Sequence, residues 1–346
     1  MFNDLLSYSG IVTKTKAMQA KLITEKEYED ISSLSSVSDF ISFLKAQPAY
    51  QNLFANSDEK LLHRNEIEHI LMNSLYLDYA KIFRFAGIKQ RKALDLLFFR
   101  YEVNILKACL QNVFTDEDSY DLSVFEPFFK KHSKLNIRTL SSCISIEEFI
   151  SNLKNTKFYD LFQKIQTTNA TLYDFEVQLD IFYFTSVWKR RKEFAKSHDL
   201  EAITDIIGKK IDFLNIMSIY RAKKFYQIDQ SQIYSFIIPI HYRMSSNQLM
   251  SLIEANTKEE FVSLLSSTRY HEDDTSSTNK NNSIETLYER NLITLYRDSQ
   301  KKYPFSMCTI FKFLFMKELE IDRLTTALEC IRYGLDSSLA LNYILK

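Results

Sequence analysis

Ser36-Val37-Ser38-Asp39-Phe40-Ile41-Ser42-Phe43-Leu44 is one of three versions of a single phrase. It returns as Ser145-Ile146-Glu147-Glu148-Phe149-Ile150-Ser151-Asn152-Leu153, and again as Thr257-Lys258-Glu259-Glu260-Phe261-Val262-Ser263-Leu264-Leu265. The common pattern is a hydroxyl residue, two residues, an acid, Phe, a β-branched aliphatic, Ser, any residue and Leu. A hydroxyl followed three positions later by an acid is a capping box: the hydroxyl accepts from the N3 amide and the carboxylate reaches back to the cap amide. The acid also suits the positive end of the helix dipole. Phe, the β-branched residue and Leu then share one helical face. Each copy therefore predicts a capped helix start followed by a buried stripe. In the second copy, Ile144 is expected to staple onto Phe149.

Phe40, Phe149 and Phe261 lie 109 and 112 residues apart. Two further landmarks keep the same period. Glu68, Glu176 and Glu285 follow an apolar residue at the start of a long helical pattern, 108 and 109 residues apart. Glu102, Asp212 and Glu320 lie inside aliphatic helices, 110 and 108 apart. A period near 110 is too long for the common short helical repeats. It predicts three similar multi-helix modules, over 1–120, 121–235 and 236–346, in a pseudo-threefold body.

Composition sets the fold class. The 346 residues include only four Gly and four Pro, against average usage of roughly 7% and 5%. Tight hairpins, dinucleotide folds and phosphate loops need glycine in their turns. The chain is therefore expected to be all-α. Hydrophobic residues make up 45% and aromatic residues 14%, ample for a large core. Basic and acidic side chains balance at 44 each, which argues against a general nucleic-acid surface.

Along the chain, an N-terminal helix precedes a capping box at Thr24-Glu25-Lys26-Glu27. Long helices are expected from about Glu66, ending at Gly87, and from Lys89 to Phe114. A second pair carries Phe175 to Trp188 and then Asp199 to Phe225. A third pair runs from Ile284 and from about Phe305 to the end. The run 271–283 has no apolar residue and reads as a polar loop. The N-terminus lacks a basic region followed by an apolar core, so no signal peptide is expected. No apolar run approaches the ~20 residues of a membrane span.

Residues for chemistry are scarce. Cys109, Cys143, Cys308 and Cys330 have no metal-type spacing and read as reduced buried thiols of a cytosolic protein. His63, His69, His132, His198, His241 and His271 are dispersed. No phosphate loop, nucleophile elbow or His-Glu-x-x-His motif is present. No catalytic, cofactor or metal site is expected, and no small-molecule substrate. Glu102, Asp212 and Glu320 recur, so each is read as pairing with a cation or capping a neighbouring segment. The basic run Lys189-Arg190-Arg191-Lys192 is a solvated helix face or one that meets an acidic partner or lipid headgroups. Lys130, Lys131 and Lys134 read the same way.

The chain resembles the C subunits of the bacterial and archaeal V/A-type ATPases, which correspond to the d subunit of the vacuolar ATPase. The resemblance rests on Lys14-Thr15-Lys16-Ala17-Met18, on Leu22-Ile23-Thr24 with Glu27-Tyr28, and on Tyr50. It extends to Asn104-Ile105-Leu106-Lys107, Asn215-Ile216-Met217 and Tyr220-Arg221-Ala222-Lys223. It departs at Ile237-Ile238-Pro239-Ile240-His241, where the family often carries glycines. The resemblance implies a funnel-shaped, non-catalytic rotor subunit. It would receive the foot of the central axle, stand on the membrane rotor ring at the cytoplasmic face, and meet the membrane only through the complex. An alternative from another class is a soluble all-helical scaffold that binds proteins in a groove.

Overall fold

The computed structural model describes residues 2–55, 62–115, 122–166, 170–194, 198–226, 228–270 and 284–345. Among them the regular structure is helical, without a strand. The chain opens with α1 (Phe2–Gln19), α2 (Glu25–Ser32), α3 (Val37–Ala46) and the single turn α4 (Gln51–Phe54), and then two long helices, α5 (Arg64–Phe85) and α6 (Ile88–Phe114). Short helices follow as α7 (Glu126–His132), α8 (Ile137–Ser141), α9 (Ile146–Asn152) and α10 (Tyr159–Gln166), before the long α11 (Leu172–Arg190) and α12 (His198–Arg221). The last stretch holds α13 (Gln230–Phe236), α14 (Ser246–Glu254), α15 (Lys258–Ser266), the long α16 (Ile284–Lys302) and α17 (Met307–Arg332), and α18 (Ser337–Ile344). The 271–283 run lies outside the described residues.

The three phrase copies start α3, α9 and α15. In each, the hydroxyl of Ser36, Ser145 or Thr257 accepts from the amide three residues on. The carboxylates behave differently from the expected box. Glu148 and Glu260 reach past the cap, to the amides of Ile144 at 3.2 Å and Asn256 at 2.7 Å. Asp39 is one methylene shorter and accepts instead from the hydroxyls of Ser36 and Ser35, at 2.6 and 3.3 Å. The complete box forms at Thr24.

Phe40, Phe149 and Phe261 are all buried, a transfer gain of roughly 1.5–3 kcal/mol each. The stripe weakens in the third copy, where Val262 is exposed. Phe40 and Phe149 belong to the main core, which runs from Tyr8 to Ile344. Phe261 packs in a separate, smaller core with Tyr220, Leu249 and Leu252. The staple expected from Ile144 does not form: its side chain is 89% exposed, and only its amide is used.

The long helices pack in a closed order. α6 lies on α11, α12 on α16, and α17 on α5. The last long helix thus returns to the first, and α1 fills the seam between α5 and α17. It does so with Tyr8, Ile11, Val12, Thr15 and Met18, all buried and spaced on one helical face. The C-terminal segment is two helices, not one. Gly334 takes φ +62°, and the amide of Leu335 bonds back to the Cys330 carbonyl at 3.0 Å. This is a Schellman stop, whose left-handed residue favours glycine. Gly208 serves differently: a Cβ there would meet the Tyr242 ring at 2.3 Å.

Candidate functional site

The recurring acids orient the long helices that carry them. Glu102 on α6 accepts from the Ser133 hydroxyl at 2.5 Å and pairs with the Lys157 ammonium. Asp212 on α12 accepts from the amides of Tyr242, Arg243 and Met244, at 3.3, 2.7 and 3.1 Å. It also accepts from the Tyr270 hydroxyl at 2.5 Å. Glu320 on α17 accepts from the Ile23 amide and the Tyr50 hydroxyl, both at 2.6 Å, and pairs with Lys317 at 2.8 Å. All three are buried. Each holds the segment before one short helix and a residue after a phrase helix. Glu102 ties residues 133 and 157; Asp212 ties 242–244 and 270; Glu320 ties 23 and 50. The expected pairing and capping roles are both observed.

A residue two places along a helix lies about 200° around it. The positions two before and two after each acid therefore turn the opposite way. They are Arg100 and Asn104, Lys210 and Leu214, and Glu318 and Asp322, and all six line one cavity of about 520 Å³. Its walls also include Arg221, Tyr288, Glu289 and Phe315, so α6, α12, α16 and α17 converge there. The Arg100 guanidinium bonds to Glu318 at 2.7 Å across the space between α6 and α17. Glu289 and Arg323 close the α16–α17 side at 3.2 Å.

Asp180 on α11 also lines the cavity and pairs with Lys107 at 2.7 Å, whereas three other cavity charges have no such partner. Among the described residues, Lys210, Arg221 and Asp322 make no ion pair or side-chain hydrogen bond. Burial, reinforced by the like charge of Arg100, pushes the Lys210 ammonium down to about 7. Desolvation by the concave surroundings, reinforced by Glu318, pushes the Asp322 carboxyl up to about 6. Lys210 and Asp322 therefore resist being charged.

The other end of the long helices is closed. The Ser7 carbonyl of α1 accepts from the Gln90 side chain at 2.8 Å, where α6 starts. The next residue, Tyr8, donates to buried Asp199 at the start of α12. Asp199 in turn accepts from the Met307 amide at 3.2 Å, where α17 starts. One turn of α1 therefore touches the starts of α6 and α12, and through Asp199 the start of α17.

A larger cleft, of about 710 Å³, lies beside the end of α12 and the start of α15. Two of its polar groups are engaged: Lys223 donates to the Ala255 carbonyl at 2.5 Å, and Thr257 caps α15. It involves only the ends of α12 and α14 and the starts of α13 and α15, whereas the smaller cavity gathers several long helices. Asn215 pins the departing segment at Pro239, exchanging bonds of 3.0 and 2.9 Å with the carbonyl and amide of Ile238.

The four cysteines are free and buried. His63 precedes α5 as its cap, His69 packs edge-on to Phe125, and His132 sits among Phe83, Phe98 and Phe128. His241 is exposed, and His271 lies outside the described residues. Among the described residues no group of three His, Cys, Asp or Glu could hold a metal ion. No described helix is long and apolar enough to cross a membrane. Sequence reasoning does not single out the cavity residues, although the periodic acids two positions away mark them.

The fold and site define an all-α protein whose long helices are fastened outward by buried acids and turn a charged face to a shared cavity. The chain belongs to the ATP synthase (C/AC39) subunit family, whose sequence pattern matches residues 11–343. It is 23% identical to the C subunit of an A-type ATP synthase from Thermococcus kodakarensis, over 97% of this chain and 90% of that one. The C subunit of the A-type enzyme of Methanosarcina barkeri is also 23% identical, over 97% and 92%. That of Methanobrevibacter smithii is 22% identical, over 93% and 83%.

Proposed function

We propose that the chain is a non-catalytic coupling subunit of an A/V-type rotary ATPase, seating the foot of the central axle in the axial cavity. The observation that carries this reading is the cavity itself: long helices from every third of the chain line it, and three of its charges lack partners. A rigid wall suits a part that passes torque. Long packed helices with buried, hydrogen-bonded ties are such a wall. In this reading the three stretches are modules related by a pseudo-threefold axis, with approximate limits 1–120, 121–235 and 236–346. The return of α17 to α5, and of Glu320 to residues 23 and 50, supports that closure. The opposite end of the body stands on the proteolipid rotor ring at the cytoplasmic face, so the chain is peripheral to the membrane.

Co-purification tests it. The chain should associate with a small central-stalk subunit and with a detergent-solubilised proteolipid ring. A chain that bound neither, with both intact, would exclude the role. Superposing the three phrase helices with their long helices should give rotations near one third of a turn about a common axis. A linear stack would remove the modular part of the reading.

A further inference from the structure

The closed end carries a charge pattern that the axial cavity does not use. Three connections meet there, one between each pair of long helices. They occupy residues 84–92, 189–194 and 301–306, and together hold ten Lys or Arg and one Glu. The whole chain is neutral, with 44 basic and 44 acidic side chains. This concentration is therefore local, and the contacts of Ser7, Tyr8 and Asp199 with all three helix starts put it on one end of the body. Arg190 pairs with Glu193 and Lys302 with Glu201. Among the described residues Lys89, Lys92, Lys189, Lys192 and Lys301 have no ion-pair partner, and all are exposed.

The same end is also apolar. Ile88 is 81% exposed, Leu6 65% and Phe85 56%, and the Lys14 ammonium stands 5.4 Å from the Phe85 ring centre. Large exposed apolar side chains grouped together mark an interaction surface. Exposed apolar side chains on the same end as exposed lysines fit one chemistry well. The cations attract an anionic surface over a Debye length, and the apolar groups enter the boundary between headgroup and acyl chain.

We infer that this closed end binds anionic phospholipid headgroups directly. The occupant follows from charge complementarity together with the exposed apolar groups on the same end. The inference goes beyond the rotor reading and does not need a ring protein to be present.

The test uses the purified full-length chain and protein-free vesicles. One set is phosphatidylcholine alone, and the other is phosphatidylcholine mixed with phosphatidylglycerol. Sedimentation should show binding to the mixed vesicles only, weakening as salt rises. Combining Lys89→Gln, Lys92→Gln and Lys192→Gln should lower the partition coefficient by on the order of a hundred-fold, at roughly five-fold per cation. The control combines Lys26→Gln, Lys154→Gln and Lys258→Gln, exposed positions on the short helices α2 and α15 and just beyond α9. It should bind like the unaltered chain, with both variants melting at the unaltered temperature. No binding to mixed vesicles at low salt would overturn the inference. So would equal losses in the two variants, which would mean unspecific attraction. Binding that required a membrane protein in the vesicles would overturn it too, by leaving this end a seat for the rotor ring with no direct lipid contact. None of these results bears on whether the cavity accepts a central-stalk subunit.

Discussion

Glu320 and Asp322 are two residues apart on α17 and have opposite surroundings. Glu320 is buried and accepts from an amide and a tyrosine hydroxyl, with the Lys317 ammonium at 2.8 Å. Asp322 opens into the cavity shared by the long helices and has no ion-pair or side-chain hydrogen-bond partner among the described residues. The same contrast holds on α12, where Asp212 takes three amides and a hydroxyl while Lys210 takes nothing. A charge that the chain itself satisfies is part of the scaffold. A charge left unsatisfied beside an open cavity costs the isolated chain something, and a bound partner of suitable chemistry can offset that cost.

The largest expected effect breaks the satisfied side. Lys317 and Glu320 expose 1% and 3% of their side chains. Glu320→Gln leaves the ammonium buried without a counter-charge, and removing one partner of such a pair costs about 3–5 kcal/mol. Denaturant unfolding should show that loss. Changing both, Lys317→Met with Glu320→Leu, should recover most of it, because the desolvated charge is gone. A double variant as unstable as the single one would mean that the Ile23 and Tyr50 bonds carry the joint.

The Glu102 joint is the softer version. Its partner Lys157 exposes 41% of its side chain, so the ammonium can return to water when the carboxylate is removed. Glu102→Gln should cost about 1–2 kcal/mol, mainly the Ser133 bond and a solvent-screened pair. A loss as large as that of Glu320→Gln would show that exposure does not set the ranking of the joints.

On the unsatisfied side the sign reverses. Lys210 loses its proton near pH 7 in the folded chain, against 10.5 for an ordinary lysine. Between about pH 7 and 10.5 the unfolded chain therefore holds a proton that the folded chain has released. Lys210's contribution to stability rises with pH across that window. Lys210→Met should stabilise the isolated chain by about 1–2 kcal/mol at neutral pH, and the difference should shrink as pH is raised toward 9. Melting curves at several pH values read both. A constant difference would mean that burial does not depress this lysine.

Much of the scaffold is legible in the sequence, and little of the cavity. The phrase at Ser36, Ser145 and Thr257 announces helix starts because a cap is a local structure, set by residues three apart. The long helices follow from apolar spacing and scarce glycine for the same reason. The acids stand out because a buried carboxylate on an aliphatic stripe is rare, and three at one period are rarer. What those acids bind is not legible: Tyr50 and Glu320 are 270 positions apart, and only the closed packing of α17 on α5 brings them together. Ile144 defeats a local reading because an apolar residue before a cap suggests a staple, yet nothing local shows which way its side chain turns. Arg100, Lys210 and Asp322 look like ordinary solvated helix charges in the sequence. Their joint cavity emerges only when several helices converge, although counting two residues from each periodic acid finds them.

The finest test of the contrast is Asp322→Asn, beside a helix neighbour whose change is the most damaging. Asp322→Asn removes a carboxylate whose ionised form the cavity disfavours, so at neutral pH it should stabilise the chain, by less than about 1 kcal/mol because the residue is partly screened by solvent. Its carboxyl is pushed up to about 6, above the ordinary aspartate value. The folded chain therefore keeps a proton there between about pH 4 and 6 that the unfolded chain gives up. That contribution to stability is present at the acid side of the window and fades as pH rises through 6. The variant should flatten this segment of the melting profile, agreeing with the unaltered chain at the acid side and lying slightly above it at neutral pH. If the cavity seats the axle, the same substitution should change affinity for a central-stalk subunit by at least about tenfold, since a charge enclosed at an interface counts for far more than one in water. A large stability change with unaltered affinity would place Asp322 with Glu320 as scaffold, and the distinction between satisfied and waiting charges on α17 would fall.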